Sequence, residues 1–386
     1  MKEVCIISQR YPCEATPAYH VFVQKLAWAM ADAGIKVTII SPTGYGKLHR
    51  NTKEIYEEKT AKGNTLLIIR PRYLYLGQRK IGPVNTTRLS LEFFYNACKK
   101  AIKEHRINPD AFYGHFICLA GICASRLGRD YHKPSFFAYG ESSDWSIRNY
   151  GLERVRRELS TVAGAVAVST RNKEVLLENK IVPEDRVQVF VNGINQDKFY
   201  PRDKDKCREK LKIPKDAFVI SYVGQLIERK GLPQLCAALD EITGEGIPVK
   251  AIFAGKGDLV PQGDYVHYCG LVNPEDVPEF LSASDIFALP TQSEGCSNAI
   301  LEAMGCGLAI VSSDLSFNYD VLDKDNAILV NPQKPEEIKN AILKLKNDKE
   351  LCRKLGENSL ARVKDLTMEK RAARILDFME KQKEIK

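Results

Sequence analysis

Short apolar runs alternate with longer amphipathic stretches along most of the chain. VCIIS (4–8), KVTII (36–40), LLIIR (66–70), AFYGH (111–115), PSFFAYG (134–140) and AVAVS (165–169) are rich in β-branched and aromatic residues. At five to seven residues each they are too short for helices and predict strands. Segments near 20–33, 88–105, 119–131 and 151–163 between them read as helices. The pattern then restarts with FVISYVG (218–224), a helix near 231–243, VKAIFAG (249–255), VHYCG (266–270), DIFALP (285–290) and LAIVSS (308–313). The polar stretch YPRDKDKCREK (200–210) divides the two series and reads as a linker. Residues 368–383 read as a charged amphipathic helix able to cover either half. Strands alternating with helices imply parallel sheets covered on both faces. The expectation is α/β, with two Rossmann-like domains facing each other across a cleft. Such sheets bind ligands beyond the carboxyl ends of their strands, so the loops after strands are where chemistry is sought.

The chain length of 386 residues fits two domains, and 44% hydrophobic with 27% charged residues supplies two cores in an ordinary globular composition. The opening MKEVCIISQRYP has too short an apolar run for a secretory segment, and no stretch approaches a membrane span. Eleven cysteines form no C-x-x-C pair and no zinc-ligand spacing, which fits a reducing compartment. A cytoplasmic protein is expected. Residues 1–200 carry 30 Lys+Arg against 19 Asp+Glu, or +11; the remainder carries 27 against 30, or −3; the sum is the overall +8. A basic N-terminal half is either a solubilising surface or the face for an anionic partner: a membrane, a lipid phosphate or a charged sugar chain. No nucleic-acid-binding motif accompanies it.

The most informative segment is TQSEGCSNAILEAMGCGLAIVSS (291–313). A strand ends at Pro290, a short loop holds Glu294 and Gly295, and a helix opens near Ser297 or Asn298, both good N-caps. Gly305 and Gly307 close it. Its first turn offers unpaired amides and a positive dipole end, suited to a diphosphate. Gly295 admits a ligand close to the backbone. Glu294 lies in the loop and Glu302 about one turn inside the helix, so both can face one ligand.

The EG…EAMGCG combination behind a strand ending in Pro resembles the retaining glycosyltransferases of family 4, which have the two-domain GT-B architecture. Further segments share the resemblance. SYVGQLIERKG (221–231) resembles the family's glycine loop with its downstream Lys-Gly, and IFAGKGDL (252–259) its second glycine loop. VHYCGLVNPEDVPEFLSASDIFALP (266–290), VFVNGINQDKF (189–199) and the opening SQRYPCEATPAYHVFVQKLAWAMADAGIKVTII follow its pattern too.

The resemblance implies an acceptor domain over 1–198, a nucleotide-sugar domain over 199–367, and a terminal helix (368–386) that can return to the first. It implies transfer from a nucleotide-sugar, commonly a UDP-sugar, to a saccharide or lipid-linked saccharide in cell-surface polysaccharide assembly. No metal or other cofactor is expected, and the membrane's inner face is a place for peripheral contact. Carried over residue by residue, Glu302 would accept the donor ribose hydroxyls and Glu294 the sugar hydroxyls. The amides of Gly295, Cys296, Ser297 and Asn298 would grip sugar and diphosphate. Lys230, helped by Arg229, would neutralise the leaving diphosphate. Gly224, Gln225 and Gly255 would line the donor, and backbone near Leu271 and Val272 the base. On the acceptor side stand His20, His115, Tyr139 and Glu141. Three positions depart from the pattern. Gln225 stands where the family usually has Arg, His20 where it often has Gly, and Tyr139 where a His precedes Gly.

Other activities remain open: a catalytically silent partner of another transferase, or a nucleotide-sugar epimerase. A dinucleotide-dependent oxidoreductase is disfavoured, because SQRYPCEATP after the first strand holds no glycine and AGKGDL lacks the third glycine of the fingerprint.

Overall fold

The computed structural model describes residues 1–17, 20–45, 53–82 and 84–383. Residues 18 and 19 of the opening loop and 384–386 of the terminal segment lie outside that set. The chain divides into two compact units, Met1–Phe190 with Met368–Lys386, and Val191–Thr367. The boundary thus precedes the NGINQDKF segment, which belongs to the second unit.

In the first unit the strands of the main sheet are β1 (Glu3–Ser8), β2 (Lys36–Ile40), β3 (Ile55–Lys59), β4 (Thr65–Ile69), β5 (Ala111–His115), β6 (Ser135–Tyr139), β7 (Gly164–Ala167) and β8 (Val187–Val189). They lie in the order β8-β7-β6-β5-β1-β2-β4-β3, all parallel except the β3–β4 pair. β1 shows why its run is continuously apolar. Cys5 and Ile7 enter the core under the helices Thr86–Glu104 and Ile122–Tyr131. Val4 and Ile6 enter the core on the other face, under Val21–Asp32 and Met368–Lys383. A strand buried on both faces loses the polar alternation of a half-exposed one. The terminal helix therefore covers the first unit, through Ala372, Ile375, Phe378 and Met379.

The second unit holds β9 (Val219–Val223), β10 (Lys250–Ala254), β11 (Val266–Gly270), β12 (Ile286–Leu289), β13 (Ala309–Ser313) and β14 (Ala327–Val330). The order is β11-β10-β9-β12-β13-β14, wholly parallel. From β9 the chain winds outward through β10 and β11. It then returns to β12 on the other side of β9 and winds the opposite way. The reversal makes a topological switch point between β9 and β12, where the loops that follow the two strands diverge and leave room for a ligand.

The proposed linker at 200–210 needs correction. Lys204–Leu211 is a helix of the second unit. Arg208 is buried there, donating to the Ala283 carbonyl at 2.9 Å and pairing with Asp285 at 2.8 Å. Charge read as linker is here partly paired within the unit. The strands β3, β8 and β14 were absent from the sequence reading. β3 is an edge strand whose alternate residues Ile55, Glu57 and Lys59 are exposed, so it lacks an apolar run.

Candidate active site

Two loops flank the switch point of the second unit. The first leaves β9 at Gly224, whose amide donates to the Ala254 carbonyl at 3.0 Å, and Leu226 donates to Lys256 at 2.9 Å. A Cβ on Gly255 would sit 1.8 Å from the Gly224 carbonyl oxygen, so only glycine lets the loops after β9 and β10 approach this closely. The chain then makes a single tight turn, Glu228–Lys230, passes Gly231 at φ +72°, and starts the helix Leu232–Gly244.

The second loop runs from Pro290 to the helix Asn298–Gly305. It is laced to the first. The Gln292 amide donates to the Arg229 carbonyl at 2.9 Å, and the Arg229 guanidinium donates to the Ser293 carbonyl. Ser297 is the N-cap, but its side chain makes no cap hydrogen bond and so does not occupy the amides of the first turn. Asn192 braces this turn by donating to the Cys296 carbonyl (3.2 Å) and to Asn298 Oδ1 (3.0 Å). Behind the loop, Ser313 donates to the Thr291 carbonyl, and Asn318 to the Ser313 carbonyl at 2.8 Å.

Lys230 and Glu294 form an ion pair, with side chains only 14% and 13% exposed. Burial, reinforced by the Arg229 charge, pulls the Lys230 ammonium down to about 8. The Glu294 carboxylate pairs with the ammonium and keeps it in place. The arrangement thus sets a fixed cation beside an open helix N-terminus, the combination that receives a phosphate.

The structure gathers Gly224, Arg229, Lys230, Glu294, Gly295, Cys296, Ser297 and Asn298 in the two loops at this switch point. Glu302 is half-buried within the helix that follows. Gln225 is exposed, and its carbonyl accepts the Tyr222 hydroxyl at 2.6 Å. Leu271 and Val272 follow β11; Leu271 is exposed and its carbonyl accepts from Tyr268 at 2.8 Å. The amide of Gly255 donates to Gly270 at 2.8 Å, so these loops follow one another along the strand ends. Asn192, Thr291, Ser313 and Asn318 escaped the sequence reading. Their roles are bracing ones, and a lone polar residue in a loop or strand end gives no signal of its partner.

The residues expected on the acceptor side fall in the first unit. His115 ends β5, and His20 is the N-cap of Val21–Asp32 at φ 53°. Their rings form a box with Phe22 and Phe116: His20–Phe22 at 5.2 Å, Phe22–His115 at 5.1 Å and His115–Phe116 at 4.9 Å between centroids. Burial, with the Arg10 charge, pulls His20 down to about 4. His115 is pulled well below the usual imidazole range by burial, then by His20 and Arg371. Both are neutral at pH 7. Glu141 is pushed upward by burial, against the pull of Ser146 and the Ile117 amide. Tyr139 is 1% exposed in the core under the helices.

Among the described residues no helix is long and apolar enough to cross a membrane. Two family models match the chain: Glycosyltransferase Family 4 over residues 20–198 and Glycosyl transferases group 1 over residues 203–362. A Bacillus subtilis glycosyltransferase named for teichuronic acid biosynthesis is 24% identical, with 89% of this chain and 88% of that protein covered. The Escherichia coli UDP-Gal:alpha-D-GlcNAc-diphosphoundecaprenol alpha-1,3-galactosyltransferase is 26% identical over 48% of this chain and 52% of its own length. Among solved structures, the sucrose-phosphate synthase from Thermosynechococcus elongatus aligns with a TM-score of 0.80 at 20% identity, covering 99% of each chain. The two matches between them span most of both units, and the chain belongs to the family 4 glycosyltransferases of GT-B fold.

Proposed function

We propose that the protein transfers a sugar, with retention of anomeric configuration and without a metal ion, from a UDP-sugar to a saccharide or lipid-linked saccharide in cell-surface polysaccharide assembly. The observation that carries this reading is the buried Lys230–Glu294 pair beside the open amide end of Asn298–Gly305 at the switch point. The relatives named for teichuronic acid and for a UDP-Gal reaction on a diphosphoundecaprenol-linked sugar support the donor and acceptor classes.

In this reading the helix amides and Glu302 hold the diphosphate and ribose. The bond between the sugar's anomeric carbon and the β-phosphate oxygen breaks, and charge builds on the departing diphosphate. Lys230 and Arg229, already fixed, stabilise that charge without reorganisation. They supply what a divalent cation supplies in other transferases, which is the argument for metal independence. The acceptor hydroxyl oxygen bonds to the anomeric carbon from the same face, and its proton passes to the leaving phosphate oxygen. No second carboxylate is required as a nucleophile. Peripheral contact with an anionic membrane at the cytoplasmic face belongs to the same reading. Exposed Arg154 and Arg157 on the helix Leu152–Leu159 support it.

Thermal-shift measurements with UDP, GDP and ADP test the reading. UDP is expected to stabilise the protein most, and no response to any nucleotide would count against it. A pH dependence follows from Lys230. Free protein loses the Lys230 proton around pH 8. A bound diphosphate favours the protonated form, so binding takes up a proton above that pH. UDP affinity should therefore be flat below about pH 8 and weaken by up to about tenfold per pH unit above it. The Lys230→Arg protein keeps its charge and should show a flatter profile. A wild-type affinity unchanged from pH 7 to 10 would remove Lys230 from the phosphate site.

A further inference from the structure

The first unit contains a cavity of about 730 Å³ that the donor site does not use. It lies beyond the carboxyl ends of three neighbouring parallel strands. Gln9 and Arg10 follow β1, Ser41 to Gly44 follow β2, and Arg70 follows β4. This is where open α/β sheets receive ligands. Among the described residues the charged side chains that line it are Arg10, Arg70 and Arg79, with no carboxylate.

Arg70 makes the positive character more than a matter of counting. It is only 4% exposed. Its guanidinium donates to the Tyr11 and Pro12 carbonyls and to the Tyr56 hydroxyl, and lies 5.7 Å from the centroids of both tyrosine rings. These partners are neutral, and among the described residues the buried Nε of Arg70 has none. Among the described residues Arg70 has no ion pair, whereas buried charges are ordinarily paired. The Cys13 thiol also lines the cavity. Partial burial pushes it up, yet the Thr16 hydrogen bonds and then the Arg70 charge bring it below the usual thiol value.

Aromatic rings share the wall. Tyr45 is 66% and Tyr75 42% exposed, although both line the cavity. Tyr73, buried against Phe94 at 5.4 Å, stands behind Tyr75. A pyranose presents C–H groups on its faces and hydroxyls on its rim. Exposed tyrosines suit the faces, and arginines suit a carboxylate or phosphate through charge-assisted, often bidentate hydrogen bonds.

We propose that this cavity recognises the acceptor through an anionic sugar residue, its oxyanion against Arg10 and Arg79 and its ring against Tyr45 and Tyr75. The inference rests on the glycosyl-transfer reading for the word acceptor, but the binding it asserts is measurable alone. The oxyanion is a carboxylate, as in a hexuronate, or a phosphate ester.

The test measures binding of D-glucuronate, glucose 1-phosphate and D-glucose by titration calorimetry or saturation-transfer NMR, with saturating UDP to block the donor site. At least one anionic sugar should bind about tenfold or more tightly than glucose. Tighter glucuronate identifies a carboxylate-bearing acceptor, and tighter glucose 1-phosphate a phosphate-bearing one. The Arg10→Ala/Arg79→Ala protein should lose that preference, and Tyr75→Ala should weaken the bound sugar severalfold. The thermal shift produced by UDP reports on the second unit and on folding in each variant. Equal binding of glucose and both anions, no binding of any of them, or unchanged preference in the double variant would overturn the proposal. A failure of the glycosyl-transfer reading would appear separately, as wild-type protein that responds to no nucleotide.

Discussion

The Glu302→Ala protein is expected to bind UDP at least about a hundredfold more weakly than wild type and to turn over donor at background rate. A carboxylate accepting two ribose hydroxyls makes two charge-assisted hydrogen bonds of about 1.5–3 kcal/mol each, and 1.4 kcal/mol is a factor of ten. Folding should survive. The helix Asn298–Gly305 is held by Ile300, Leu301, Ala303 and Met304, all buried, while Glu302 is half-exposed on another face. Alanine is also the best helix former. Glu302→Gln retains the shape and one acceptor oxygen, so it should fall between the two. Calorimetric titration with UDP and a melting curve of each variant decide the matter. Wild-type affinity in Glu302→Ala would remove the carboxylate from the donor site and, with it, the roles drawn from the E-x7-E spacing.

Most of the fold was readable because most of its strands are buried on both faces and its helices on one. Runs such as VCIIS and DIFALP announce themselves through continuous apolar character. The helix starting at Asn298 was readable from chemistry of a different kind, a capping residue at one end and Gly305 and Gly307 at the other. What stayed hidden shares one physical feature: its partner lies far away in sequence. Arg208 looked like linker charge because Asp285 is 77 residues off. Asn192 lay in a segment matched to the family, but its bracing role stayed hidden because the Cys296 carbonyl it holds is 104 residues later. The Lys230–Glu294 pair was half visible. Each residue was singled out, but for separate ligand atoms, and their contact follows only from the adjacency of β9 and β12. The cavity in the first unit was least visible of all. Its lining joins residues from three strand ends and from the 73–79 segment, and no pattern in the sequence joins them to one another. The basic excess of the N-terminal half pointed toward an anionic partner without saying where on the surface it would lie.

The adjacency of β9 and β12 also exposes the position at which the donor loops are most easily broken. Gly231→Ala is expected to destabilise the protein by about 2–5 kcal/mol and to abolish its response to UDP. Two costs combine. Gly231 has φ +72°, where a Cβ costs about 1–2 kcal/mol. That Cβ would also sit 1.9 Å from the Pro290 carbonyl oxygen and 2.6 Å from its carbon, so backbone must move. The movement cannot stay local, because Arg229 is bonded to Gln292 and Ser293, and Lys230 to Glu294. Pushing the first loop off Pro290 withdraws both cations from the amide end of the helix. Gly246→Ala is the control. It has φ +77° and nothing within 4 Å of the added carbon, so it bears the conformational cost alone, about 1–2 kcal/mol. The difference between the two variants in denaturant midpoint isolates the contact with Pro290. If Gly231→Ala matched Gly246→Ala in stability and kept its UDP-induced shift, the two loops would have room between them, and the ordered cation beside the helix would lose its structural basis.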